Sequence, residues 1–130
     1  MERLILRHNE ALKALKTLED ILNEPFSVII RDATIQRFEY CFEISWKFLK
    51  EYLKEKHGII CNSPKSCFRE AFSVGILLNE EETMKFLEMA DDRNLTTHTY
   101  KEEVAQNLYE KIKGHCKLLK ELIIEKCKID

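Results

Sequence analysis

Apolar residues recur at helical steps through nearly the whole chain. Leu4, Ala11, Leu15, Leu18 and Leu22 share one face and predict a helix from about Glu2 to Leu22, ended by Asn23-Glu24-Pro25. A second long helix is expected from about Asp32 to His57. Its stripe is Phe38, Cys41, Phe42, Ser45, Leu49, Tyr52 and Leu53, with Trp46 beside it and Gly58 as its C′ residue. Ser63-Pro64 supplies an N-cap and N1 pair for a short helix through Phe68, Ala71, Phe72 and Val74, closed by Gly75. Asn79 followed by Glu80, Glu81 and Glu82 opens a fourth helix with acids at its positive end, running through Met84, Leu87 and Ala90 to about Asn94. The last helix, from about Tyr100 to Glu125, has the cleanest pattern: Val104, Leu108, Ile112, His115, Leu119 and Leu122, at steps of 4, 4, 3, 4 and 3. Gly114 within it costs about 1 kcal/mol against alanine, and a close helix crossing would be a reason for it. No alternating strand pattern, internal repeat or low-complexity linker interrupts this order. The reading is an all-α antiparallel helical bundle, four-helix-bundle-like with about five helices, forming one domain over residues 1–130.

Composition narrows what such a bundle can do. With 130 residues, 45% hydrophobic and 34% charged, the chain can bury one real core. A net charge of −2 gives no global attraction to nucleic acid, so any RNA contact must be local. No apolar run approaches the roughly 18 residues that cross a membrane, and no signal-peptide pattern opens the chain, so no membrane association is expected. The five cysteines, Cys41, Cys61, Cys67, Cys116 and Cys127, are odd in number and form no C-x-x-C pair. They read as reduced thiols of a cytoplasmic protein, packed as small hydrophobes. Cys61, Cys67, His115 and Cys116 match no standard zinc spacing, and neither a metal nor a cofactor is expected.

The helical pattern breaks at Arg93-Asn94-Leu95-Thr96-Thr97-His98-Thr99-Tyr100, which gathers an arginine, an amide, an imidazole and a phenol. In one continuous helix Arg93 and His98 would stand roughly 140° apart around the axis and could not face one ligand. Thr96, Thr97 and Thr99 are poor helix-interior residues, and Thr99-Tyr100-Lys101-Glu102 has the form of a capping box. The expectation is that one helix ends after Arg93 and the next starts at about Tyr100.

These residues resemble the HEPN superfamily, whose signature is Arg-Asn-x-x-x-His. The extended form Arg-x-x-x-x-His-x-Tyr is typical of its HepT-type toxins. The chain is also similar to the branch called nucleotidyltransferase substrate-binding proteins over Ile35-Gln36-Arg37-Phe38-Glu39 through Trp46-Lys47, Ser63-Pro64-Lys65 through Ala71-Phe72, and Arg93-Asn94 through Tyr100. The resemblance implies a helical bundle that dimerises and works beside a separate minimal nucleotidyltransferase. In the HepT type it implies a metal-independent ribonuclease toxin of a toxin–antitoxin pair, silenced when the partner adenylylates the motif tyrosine, here Tyr100. The branch name implies the alternative, a non-catalytic subunit that binds nucleotide or substrate for the nucleotidyltransferase. No glycine-rich phosphate loop is present, so the chain is not read as the nucleotidyltransferase itself.

The chemistry follows from residue types. Metal-free RNA cleavage needs a base for the ribose 2′-hydroxyl, an acid for the leaving 5′-oxygen and a cation at the phosphate. His98 suits proton transfer. Arg93 offers a permanently charged planar fork to phosphate oxygens, and the start of the last helix adds free N–H groups. Asn94 can orient either the imidazole or a phosphate oxygen. One histidine per motif makes a homodimer, with its second copy, the natural source of separate acid and base. Phe26, Val28, Ile29 and Ile30, after Pro25, are the expected interface residues. Asp91 and Asp92 either pair with Arg93 or repel a phosphate. Singly, each motif residue also has an ordinary explanation: a surface ion pair for Arg93, a carbonyl contact for His98, packing on Trp46 for Tyr100. Arg37, Glu39 and Glu43 form either a polar lining to the site or a solvated face. His115 is expected in the core or an interface, and Lys111, Lys113, Lys117 and Lys120 as ordinary surface.

Overall fold

The structure is a computed structural model and describes residues 1–129. Five α-helices carry it: α1 (Glu2–Leu22), α2 (Val28–His57), α3 (Pro64–Ser73), α4 (Glu80–Leu95) and α5 (Glu102–Lys120). A 3₁₀ turn over Thr96–His98 follows α4, and a π-helical segment over Glu121–Lys126 prolongs α5.

The caps explain most boundaries. Ser27, Ser63 and Asn79 sit in extended backbone and accept hydrogen bonds from the N–H groups of Ile30, Ser66 and Glu82. At Ser63 the bond is reciprocated by the Ser66 hydroxyl. Gly58 ends α2 at φ +66°, the left-handed conformation in which a side chain would be strained. The second helix therefore begins at Val28 rather than near Asp32. Ser27 is a competent cap, so the short segment after Pro25 is already the first turn of α2.

Cross-links fix the directions. Met1 pairs with Glu55, Arg3 with Glu51, and the Thr17 hydroxyl with that of Tyr40, so α1 and α2 run antiparallel. Lys126 meets Glu82 while His115 meets Asp92, so α5 runs antiparallel to α4. Arg31 meets Glu102 while Phe38 stacks on His115, so α2 and α5 run parallel. This is an up-down bundle with α3 inserted between its two hairpins.

The core contains the stripes expected of α1, α2 and α5, including Leu4, Leu15, Leu18, Phe38, Phe42, Leu49, Leu108, Ile112 and Leu119. A file of rings runs from Phe38 to Phe42, Phe68 and Phe86, with successive centroids 6.2, 6.1 and 5.1 Å apart. Two sequence expectations fail. On α4 the buried face is Thr83, Phe86, Met89 and Ala90, while Met84 is 63% exposed, because this helix carries more than one candidate apolar row and packing selects another than the expected one. Gly114 marks no helix crossing: it is exposed, and an added Cβ would meet nothing within 4 Å.

The cysteines divide. Cys61 and Cys67 are joined in a disulfide with Cα atoms 5.4 Å apart, which corrects the expectation of five reduced thiols. Their separation by six residues carries no C-x-x-C signal; the turn into α3 is what brings them together. Cys41, Cys116 and Cys127 are free and buried, and burial pushes their thiols up to about 12, 11 and 12. They pack as hydrophobes and are poor nucleophiles.

Candidate functional site

Asp92 and Arg93 are neighbours at the end of α4 and leave it in different directions. Arg93 reaches α2, where its Nε donates to Glu43 Oε1 at 2.8 Å and its Nη1 lies 3.7 Å from Glu39 Oε2. These contacts leave Nη2 uncommitted, and the side chain is 24% exposed. Thr96 completes the corner. Its hydroxyl lies 2.7 Å from both the Arg93 carbonyl and Glu39 Oε2, sharing one proton between two acceptors. Glu39 and Glu43 are thus lining of this corner. Arg37 is not: it turns to α1 and donates to the Thr17 carbonyl at 2.9 Å.

Arg93 and Asn94 open onto a cleft with Phe42, Glu43 and Ala90 on one side and Ser63, Pro64 and Lys65, at the start of α3, on the other. Lys65 pairs with Asp91 at 2.6 Å. Neither Asp91 nor Asp92 therefore engages Arg93, so the pairing that the sequence left open does not form.

His98 and Tyr100 lie farther along. His98 ends the 3₁₀ turn and Tyr100 follows it, both exposed, Tyr100 at 75%. The rings meet edge to face with centroids 5.9 Å apart, and His98 Nδ1 lies 3.4 Å from the Tyr100 hydroxyl, a long contact between two exposed partners. Tyr100 does not pack on Trp46. Nor does it open a helix: α5 starts at Glu102 with Lys101 as an N-cap that makes no side-chain bond. The expected capping box fails because Glu102 has a stronger partner. Arg31, 3% exposed, grips it with Nη1 at 2.7 Å and Nη2 at 2.9 Å, and its Nε holds Asp32 at 3.0 Å. Hydrogen bonding to Glu102 first, and to Asp32 after it, raises the Arg31 pKa against the opposing effect of burial. Sequence reasoning missed Arg31, although its place in the row Arg31, Thr34, Ile35, Phe38 signals burial.

The chain thus holds two pairs, not one quartet: Arg93 with Asn94 in the cleft, and His98 with Tyr100 on the adjoining turn. The first offers a guanidinium with spare donors; the second a titratable ring beside a phenol. The zinc combination weighed in the sequence does not assemble, because Cys61 and Cys67 bond to each other and His115 is engaged by Asp92.

Behind the cleft, Asp92 forms the buried counterpart. It is 3% exposed, accepts from His115 Nε2 at 2.7 Å and from Lys111 Nζ at 2.9 Å, and the imidazole stacks on Phe38 with centroids 5.5 Å apart. Burial pushes the carboxyl up, but hydrogen bonds from His115 and Lys111 and their nearby charge outweigh it and hold the group below its ordinary value. Lys111 also meets Glu88 at 3.4 Å.

Comparison with known proteins places this architecture. A solved protein of Thermus thermophilus is 42% identical, with 92% of this chain and 99% of that one superposed at a TM-score of 0.84. A Haemophilus influenzae structure, described as revealing the fold of a substrate-binding domain of a nucleotidyltransferase, superposes over 98% of each chain at a TM-score of 0.65 and 21% identity, a likeness of fold alone. A Haemophilus influenzae protein named "Probable ribonuclease HepT" is 33% identical over 82 residues, 60% of this chain and 54% of that one. The chain therefore spans about half the length of that curated relative. Among the described residues no helix is long and apolar enough to cross a membrane. Residues 6–126 match the profile of the family described as "Nucleotidyltransferase substrate binding protein like". The chain belongs to that nucleotidyltransferase substrate-binding family.

Proposed function

We propose that this protein is the HEPN-type partner of a separate minimal nucleotidyltransferase and acts as a metal-independent endoribonuclease, the toxin of a toxin–antitoxin pair. The observation that carries the reading is the Arg93 corner. Its guanidinium is held from behind by Glu43 and Glu39 while its outer N–H groups face a cleft with Asn94, one turn from the His98–Tyr100 pair. The likeness to the ribonuclease relative supports it. In the reaction, one His98 accepts the 2′-hydroxyl proton, the 2′-oxygen attacks phosphorus, and a second protonated imidazole gives its proton to the departing 5′-oxygen. The products are a 2′,3′-cyclic phosphate and a 5′-hydroxyl end. Arg93 neutralises the phosphorane oxygens. The second imidazole comes from another copy, so the working unit is a homodimer. Phe26, Val28 and Ile29, 56%, 51% and 81% exposed, are the surface that such a dimer would cover; Ile30 already packs on the core.

A second reading has its own support. Arg93 and His98 do not share one cleft within a protomer, and the family description names substrate binding. In that reading the Arg93 cleft holds nucleotide or substrate for the nucleotidyltransferase without turnover. One experiment separates them. The protein, purified free of partner and unmodified at Tyr100, is incubated with varied RNAs in a chelator. Cyclic-phosphate products that disappear in His98→Ala support the ribonuclease; intact RNA with nucleotide bound at the Arg93 cleft supports the accessory subunit.

A further inference from the structure

The cleft beyond Glu43 carries a second feature that the cleavage reading does not use. Along one face of α2, Glu39, Glu43, Trp46 and Lys50 follow at helical steps of 4, 3 and 4, a strip roughly 16 Å long. The two oxygens of Glu43 tie its halves together. Oε1 accepts from Arg93 Nε at 2.8 Å, and Oε2 accepts from the Trp46 indole N–H at 3.2 Å. The indole is therefore held in register with the Arg93 corner. Past it, Trp46, Lys47, Lys50 and Glu51 of α2 face Arg3 and Arg7 of α1 around a cleft of about 150 Å³. Four cations stand against one carboxylate there, in a chain whose net charge is −2. Glu51 lies 3.6 Å from Arg3, and Arg7 has an outside partner in Glu10 at 3.6 Å. Lys47 and Lys50 have no ion pair among the described residues, and the Lys50 ammonium stands 6.0 Å from the centre of the Trp46 ring.

Trp46 is half-buried and packs on the core. The part of its ring that lines the cleft stands among cations, two of them without an ion pair among the described residues, which suits an unstacked base and its flanking phosphates. A duplex offers no free base face, so the fitting ligand is single-stranded. We propose that this face is a second binding subsite, in which a base of single-stranded RNA stacks on Trp46 while Lys47, Lys50 and Arg7 hold neighbouring phosphates. The strand continues across Glu43 to Arg93. This rests on the ribonuclease reading for the identity of the nucleic acid, and it adds the track that delivers the strand to the cleavage corner. The Lys50 ammonium gives up its place over the ring to the base and turns to a phosphate.

Trp46 is the chain's single tryptophan, so its emission reports this subsite alone. The probe is a 2′-O-methyl oligonucleotide of about 12 nucleotides, which cannot be cleaved and spans a site of ordinary size for a single strand. Titrated into the full-length protein it should quench Trp46 emission, with an affinity that falls as salt rises. Lys47→Ala combined with Lys50→Ala keeps the reporter and the core, and should lower the slope of log affinity against log salt by about 0.7 for each phosphate left without its cation. Trp46→Ala, followed by anisotropy of a labelled probe, should weaken binding about 5- to 100-fold. Binding that leaves Trp46 emission unchanged, or that is indifferent to the two lysines, overturns the subsite while leaving the Arg93–His98 reading intact. Quenching with the lysine dependence, but without cleavage of natural RNA, supports the subsite and defeats the ribonuclease reading instead. If the oligonucleotide does nothing and a purified nucleotidyltransferase quenches Trp46, the face docks a protein and the proposal is wrong.

Discussion

Asp92 and Arg93 differ by one position in the chain and by nearly everything in their surroundings. Asp92 points inward, is 3% exposed, and spends its carboxylate on His115 and Lys111 of α5. Arg93 points outward to a cleft, and its carboxylate partners on α2 are themselves about a third exposed, Glu39 at 37% and Glu43 at 33%. Successive helical positions are roughly 100° apart, which suffices to put one in the core and the other at the rim. The inner cluster is organised on a buried carboxylate and ties α4 to α5. The outer one retains unused donors on a rigid mount. A polar cluster built on a buried charge holds the fold; one at the rim with unused donors is free to meet a ligand.

The largest effect should come from outward-facing Arg93 and the adjoining His98, and should appear in rate, not stability. On the ribonuclease reading, His98→Ala removes proton transfer worth roughly 10²- to 10⁴-fold. Arg93→Ala should lose both turnover and RNA affinity while moving stability by no more than about 1 kcal/mol, because its ion pairs are partly solvated. Cleavage assays beside thermal melts of the same variants check this. A large melting shift in Arg93→Ala would show that both clusters are structural and erase the contrast.

The inner cluster should do the reverse. Asp92→Ala leaves buried His115 without its partner, while exposed Lys111 keeps Glu88, and should cost about 2 kcal/mol, a melting-temperature drop on the order of 5 to 10 °C. Any loss of activity should track the unfolded fraction and recover on cooling.

Titration sharpens the same comparison. Asp92 has its folded-state pKa lowered, so its stabilisation is complete above the unfolded value of about 3.9 and is lost as pH falls through the folded value. Burial lowers the Lys111 pKa, but bonds and charges from Asp92 and Glu88 more than reverse that, so its net shift is upward. Its contribution is complete below about 10.4 and fades as pH rises through the folded value. These two contributions should therefore be flat between those limits, and Asp92→Asn should flatten the acid limb of melts taken from about pH 5 to pH 2. An unchanged acid limb would assign it to other carboxylates, such as Glu82, which Lys126 and the Leu78 N–H also hold low against the opposing effect of burial.

The smallest effect belongs to Tyr100. At 75% exposure, with one long contact to His98, Tyr100→Phe should leave stability within about 0.5 kcal/mol. If a nucleotidyltransferase partner modifies this chain, the same variant should abolish the added nucleotide mass. Modification that persists in Tyr100→Phe would move the acceptor elsewhere.

The sequence by itself determined the helices, most of the caps and the core stripes of α1, α2 and α5. These depend on local periodicity and on residues whose preferences act within one turn, such as Ser63, Asn79 and Gly58. It also located the break between Arg93 and Tyr100, since three threonines resist a helix interior whatever surrounds them. Tertiary structure decided what local preference could not. Glu102 left its expected capping box because buried Arg31, seventy-one positions away in sequence, offers two charge-assisted hydrogen bonds where the backbone offered one. Cys61 and Cys67 met because the turn into α3 folds back on itself. The roles of Asp92 and Arg93 were set by which helix each one faces. Charge type is written in the chain, but burial and partners exist only once α2, α4 and α5 have packed.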